Sequence, residues 1–243
     1  MKTFKLNSPF CTALFLIAFF ISCAQAQMLN PAQAGINAAM IKLFGDTKAF
    51  SSKATVRLLD KNKKETMTMT MDFALLDGKF RADIDLNQIK GAEISAESLT
   101  MLKTVGMDKW SSIILPQKKT TIVVVPALKS YAEAPMQVEE GTTLNEIKLG
   151  KETIEGHICE KYKVSITGQK GQKHQASVWK ATNMKNFPLQ MEMEQDDGLM
   201  VMLFRDVRLG QPNPALFAAP AGYTRQESME QMIANAMLRQ RGK

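Results

Sequence analysis

The chain has 243 residues, 45% of them hydrophobic, and a formal net charge of +7. That length can bury a substantial core, and the bases are scattered in polar turns instead of clustering with aromatics, which excludes a typical nucleic-acid surface. With two histidines and three cysteines, no His-Glu-x-x-His or paired-cysteine spacing offers a zinc site.

Lys2 and Lys5 precede an apolar run from Phe10 to Ile21, and Ala24-Gln25-Ala26 follows it. This is the pattern of a cleavable signal peptide over residues 1–26, with the working protein beginning at Gln27 in the periplasm or beyond. The alternative is a lipoprotein anchored at Cys23. The run is too short to span a bilayer as a permanent helix, and no later segment is apolar for long enough. Removing the signal leaves a net charge of +5, from 29 lysines and arginines against 24 acids. Cys159 then stands without a partner, and the residues around it predict a small semi-buried side chain instead of a reactive or intermolecular thiol.

Asn30-Pro31 reads as a helix start, and Ile36, Ala39, Met40, Leu43 and Phe44 recur at helical spacing until Gly45-Asp46 stops them. From Ala49 the period becomes two. The strand over residues 66–73 puts Thr66, Thr68, Thr70 and Asp72 on one face and Met67, Met69, Met71 and Phe73 on the other. Asp77-Gly78 is a hairpin turn, after which Phe80, Ala82, Ile84 and Leu86 alternate with Arg81, Asp83 and Asp85. A short helix is expected over Ser95 to Val105. Strands follow over 111–115, 120–125 and 130–134, punctuated by Pro116, Pro126 and Pro135. Further strands are expected over 146–152, 157–167 and 174–181. Then Leu189, Met191 and Met193 alternate with Gln190, Glu192 and Glu194, and a last strand runs over 199–207. A helical tail is expected over Arg225 to Arg239, with Met229, Met232, Ile233, Ala236 and Met237 on one stripe.

About eleven strands in hairpin succession require an antiparallel sheet, because tight turns cannot join parallel neighbours. The expected fold is mainly β: one curved antiparallel sheet, or unclosed β-barrel, with helices as a lid. The expected organisation is a signal peptide over 1–26, one β domain over 27–225 and an amphipathic tail over 226–243, which either packs back on the sheet or docks an envelope partner or membrane surface.

No Gly-x-Ser-x-Gly elbow is present, Gly168-Gln-Lys-Gly171 lacks the context of a phosphate loop, and the pairs Asp83/Asp85 and Asp196/Asp197 read as solvated surface. Nothing in the sequence points to an enzyme or a cofactor. The compositional oddity is 17 methionines, in phase at Met67/Met69/Met71, Met191/Met193 and Met200/Met202. Three readings stand side by side: ordinary core, an adaptable apolar cavity for a flexible ligand, and thioether ligation of Cu(I) or Ag(I).

The C-terminal half reads Gly150-Lys-Glu-Thr-Ile-Glu-Gly156, Cys159-Glu-Lys-Tyr-Lys-Val164, Trp179-Lys-Ala181, Phe187-Pro-Leu189, Met193-Glu-Gln-Asp-Asp-Gly198, Asp206-Val207, Pro214-Ala-Leu-Phe217 and Pro220-Ala-Gly-Tyr223. This resembles a family of exported bacterial domains of unassigned function, which is itself similar to the LolA/LolB superfamily of lipoprotein carriers. The resemblance covers about Ala32 to Arg225. It implies an unclosed antiparallel barrel with helices over an apolar cavity, and non-catalytic carriage or sensing of lipid acyl chains. No individual residue is carried over from it. From the strand pattern, the candidate ligand-binding residues are Met67, Met69, Met71, Phe73, Ile84, Met191 and Met193, as shape-adaptable apolar contacts. The rival readings are an envelope interaction module with a filled core and a soft-metal protein.

Overall fold

The computed structural model describes residues 43–45, 47–91, 96–136, 143–168, 173–195 and 198–241. The expected signal peptide and most of the helix expected over Pro31–Phe44 lie outside the described residues.

Twelve strands form one sheet: β1 (Ala49–Asp60), β2 (Glu65–Leu76), β3 (Lys79–Asp85), β4 (Lys109–Leu115), β5 (Thr120–Val125), β6 (Ser130–Pro135), β7 (Thr143–Ile154), β8 (His157–Thr167), β9 (Lys173–Ala181), β10 (Phe187–Gln195), β11 (Gly198–Leu209) and β12 (Thr224–Gln226). Their order is β12-β6-β5-β4-β3-β2-β1-β11-β10-β9-β8-β7, so the sheet is unclosed, with β12 and β7 at its edges. Two α-helices have both ends among the described residues, α1 (Ala96–Thr104) and α2 (Met229–Arg241). The mainly β, unclosed fold expected from the sequence is the one found. One pair corrects the purely antiparallel expectation: β12 runs parallel to β6, with Thr224 beside Ser130 and Gln226 beside Ala132. The long return through residues 210–223 brings it there, and no hairpin rule applies to such a connection. The tail helix consequently begins at Met229 and not at Arg225.

Local chemistry fixes the hairpins. Asp77 (φ +48°) and Gly78 (φ +77°) join β2 to β3, and Glu155 (φ +48°) and Gly156 (φ +79°) join β7 to β8. Two successive positive φ angles make the turn whose twist matches a hairpin, and glycine takes the second without strain. A second device recurs where a proline opens a single 3-10 turn and a lysine closes it in the left-handed region. Pro116–Lys118 is followed by Lys119 at φ +50°, and Pro126–Leu128 by Lys129 at φ +45°.

The sheet curls about a plug of aromatic rings. Phe44 lies 6.2 Å from Phe80 on β3 and 6.0 Å from Phe187 on β10, so those two rings are at most about 12 Å apart. Four strand spacings separate β3 from β10, which would be about 19 Å across a flat sheet. Phe50, Phe73 and Phe204 complete the plug, each within 6.2 Å of Phe44. Two bulges assist the curl. In one, Asp206 (φ +52°) falls where the β1–β11 register shifts between Ser51 and Lys53. In the other, the β9–β10 register shifts around Leu189.

The opposite face of β2, β4 and β5 is covered by the segment after β11. Ala74, Leu76, Ile113, Leu115, Ile122 and Val124 pack with Phe217. Arg81 holds that cover in place: its Nη1 donates to Leu216 O at 2.8 Å and its Nε to Asp83 Oδ1 at 2.9 Å, while Ser111 Oγ also donates to Asp83. Asp83 is therefore part of a half-buried network and not the solvated surface residue the sequence suggested. A third cluster joins both helices to the sheet through Val105, Met107, Val125, Ala132, Met232, Ile233 and Ala236. Met232 is only 2% exposed, so α2 docks on this sheet. Met232→Ala is expected to lower stability by about 2–5 kcal/mol, read as a reduced urea midpoint at constant m-value. An unchanged midpoint would mean that α2 adds nothing to the fold.

Candidate functional site

The candidate site is the sheet face that carries the aromatic plug. Direct opposition across successive strands builds two lateral rows there. One runs Tyr162–Val178–Met191–Met202–Val56–Met69, from β8 to β2. The next runs Val164–Ala176–Met193–Met200–Leu58–Met67 across the same six strands. Each row holds three methionines. Side chains directly opposite in antiparallel strands have Cβ atoms about 4.5–5.5 Å apart, so the thioethers form a nearly continuous strip of flexible, polarisable surface.

The strip is sealed at one end and open at the other. Phe204, Ala54 and Met71, the row nearest the plug, are 0%, 0% and 9% exposed. Met191 and Met193 are buried also, whereas Met67, Met69, Leu58 and Met200 are half-buried. The open corner thus lies where the β1–β2 and β10–β11 hairpins end. Gly198 allows those hairpins to come together: a Cβ on it would fall 1.9 Å from Leu59 O.

Of the seven residues proposed from the sequence, Met71, Phe73, Met191 and Met193 pack in the main core, and Met69 packs against it. Met67 ends the outer row. Ile84 is buried but lies opposite Trp110, beyond the rows. Val56, Leu58, Met200, Met202, Tyr162 and Val178 share the face and were not in that set. For Met200 and Met202 the in-phase spacing was itself the signal. For the others only the strand order reveals the neighbourhood.

At its β7–β8 edge the same face becomes charged. Lys148 Nζ donates to Glu160 Oε1 at 2.5 Å and Tyr162 Oη to Glu160 Oε2 at 2.7 Å. Lys180 Nζ donates to both Glu146 oxygens at 2.7 Å and sits 4.8 Å from the centre of the Tyr162 ring. The hydrogen bond from Lys148, then that from Tyr162, hold the Glu160 carboxyl below its ordinary range, and the same carboxylate raises the Tyr162 phenol. The charges protect a long edge strand from pairing with another chain, and they give the apolar strip a polar rim.

Cys159 is fully buried, and its Sγ donates to His157 O at 3.5 Å. Burial pushes its thiol above the ordinary cysteine range. The thiolate is the reactive form, so the folded protein is expected to leave Cys159 unmodified by a thiol reagent at neutral pH, with full reaction after unfolding. Rapid modification in native buffer would contradict the burial. Among the described residues no group of three or more His, Cys, Asp or Glu side chains is placed to hold a metal ion, and no helix is long and apolar enough to cross a membrane.

No protein-family profile matches the chain, and no curated protein does. Solved structures with a similar course include the lipoprotein LppX of Mycobacterium tuberculosis, at 14% identity and a TM-score of 0.40, covering 76% of this chain and 98% of that one. LprF of Mycobacterium bovis follows at 12% and 0.37, covering 75% and 97%. A LolA superfamily protein of Nitrosomonas europaea stands at 10% and 0.35, covering 77% and 96%. Scores of this size carry no functional inference.

Proposed function

We propose that this is an exported cell-envelope protein that binds, without catalysis, a hydrophobic or amphipathic ligand of the lipid or acyl-chain class on the methionine face. The observation that carries the reading is the graded strip: six methionines in two rows, sealed against phenylalanines at one end and half-open at the other. A flexible chain needs apolar contact that can reshape at little cost, which thioether side chains supply better than branched ones. The charged rim at β7–β8 suits a ligand with a polar end.

The working chain begins at Gln27 in this reading and lies in the periplasm or outside the cell; lipid attachment at Cys23 would instead tether it to a membrane. N-terminal analysis of the native protein separates the two. A second reading, an envelope interaction module with a filled interior, is favoured by the complete burial of Phe44, Phe50, Phe187 and Phe204. Titration of the mature chain with a fluorescent fatty acid decides between them. Saturable binding that is displaced by unlabelled fatty acid or lysolipid supports the ligand-binding reading. No binding, together with recovery of a specific envelope protein by crosslinking, supports the interaction module.

A further inference from the structure

We infer that the groove on the opposite face from the methionine rows is a separate binding site, for a zwitterion of the phosphoethanolamine class. The groove has a volume of about 560 Å³, and its charged lining is Asp60, Lys61, Lys63, Lys163, Glu192 and Glu194, with Ser177 also lining it. Glu192 and Glu194 alternate along β10 with Met191 and Met193, so the two sites are back to back across one sheet.

No ion pair joins the charges of this groove, and Glu192 Oε1 accepts a hydrogen bond from Gln190 Nε2 at 3.1 Å. Nine ion pairs occur elsewhere among the described residues, including Lys148–Glu160, Lys161–Glu152, Lys180–Glu146 and Arg205–Glu155. None of the six charged groove residues joins any of them. The register sets their places. Lys163 lies opposite Ser177, and Ser177 opposite Glu192, so one strand stands between cation and anion. Two strand spacings are about 10 Å, and no ion pair forms between them here, although Lys180 does reach Glu146 across two spacings elsewhere in the sheet. Lys61 and Lys63 lie in the β1–β2 turn, while Glu194 lies beyond Ser177 from Lys163.

Opposite charges held apart at a fixed interval in a groove complement a ligand that bears the reversed pair. An ammonium fits Glu192 and Glu194, and a phosphate fits lysine, which binds it as a point charge. The volume exceeds that of the two ionic groups alone, and Leu149 and Leu199 offer apolar contact to whatever substituent the phosphate carries. The soluble compound and the lipid headgroup share this chemistry.

Calorimetric titration of the mature full chain with glycerophosphoethanolamine, glycerophosphate and ethanolamine tests the inference, with phosphatidylethanolamine vesicles as a parallel arm. The zwitterion is expected to bind about tenfold or more tighter than either half, and Lys163→Gln and Glu192→Gln each to weaken it about five- to tenfold. The double exchange Lys163→Glu with Glu192→Lys is expected to recover most of the affinity, because the ligand can reverse its direction; a merely misfolded groove would not recover. Met69→Glu, on the other face, is expected to leave this binding unchanged, so failure here is separable from failure of the acyl-chain reading. Binding of the soluble zwitterion alone identifies a free ligand, and vesicle binding with the same dependence on Lys163 and Glu192 identifies a headgroup; either sustains the inference. Glycerophosphate binding as tightly as the zwitterion, or no binding in both arms by a chain with native circular dichroism, overturns it.

Discussion

Replacing Phe44 by alanine is expected to lower stability by about 3–5 kcal/mol, the range for deleting a buried aromatic ring. Its ring meets those of Phe50, Phe73, Phe80, Phe187 and Phe204, at centroid distances from 4.9 to 6.2 Å. It stands on the concave side, where strands of both halves of the sheet converge, so its loss leaves a void that no single strand can close. Partial collapse would place the cost at the lower end of the range, since cavity terms depend on relaxation. Urea unfolding checks this, with the midpoint falling at constant m-value. A loss below about 1 kcal/mol would show that the ring does not close the core, because such values belong to surface positions.

The second large effect is on ligand affinity. Met69→Glu is expected to weaken binding of a fluorescent fatty acid by about 30- to 1000-fold, because a carboxylate facing an acyl chain must be desolvated without a partner, at about 2–4 kcal/mol. Met69 is half-buried at the open corner, so the substitution can be carried without breaking the core. Met71→Glu removes binding too, but Met71 is 9% exposed and packs against the sealed end, so its loss of binding is confounded with loss of fold. Met69→Leu is expected to change affinity by less than about threefold, as a volume-conserving apolar exchange. Thr70→Glu, one residue along and on the other face, should change nothing. Equal loss in Met69→Glu and Thr70→Glu would place the ligand somewhere other than the methionine face.

Much of this architecture was legible in the sequence because its causes are local. The alternation Met67/Met69/Met71/Phe73 against Thr66/Thr68/Thr70/Asp72 specifies a two-faced strand, and β2 spans Glu65–Leu76. Asp77-Gly78 specifies its turn, and the strand expected over 157–167 has those bounds as β8. What was not legible depends on who lies beside whom. β1 and β11 are neighbours although some 140 residues separate them, and that pairing sets Val56 and Leu58 between methionines of β11 and β2. The parallel pairing of β12 with β6 rests on the path of residues 210–223, which carries no periodic signal. The back-to-back groove was hidden for the same reason. Glu192 and Glu194 read as outward residues of a half-buried strand, and only the order β8-β9-β10 sets Lys163 two strands from Glu192. Cys159 was expected to be a small semi-buried side chain, yet it is completely buried, which follows from its place opposite Ala181, close to Phe187, and which its own neighbours in sequence do not disclose.

Native mass spectrometry of the protein purified from its own envelope without added detergent, followed by extraction and identification of the bound species, tests the central claim most directly. Binding on the methionine face predicts a reproducible mass increment of one lipid or acyl-chain compound per chain, lost in Met69→Glu and retained in Thr70→Glu. A chain that is ligand-free in repeated preparations, and that also fails to take up fatty acids or lysolipids in vitro, would contradict it.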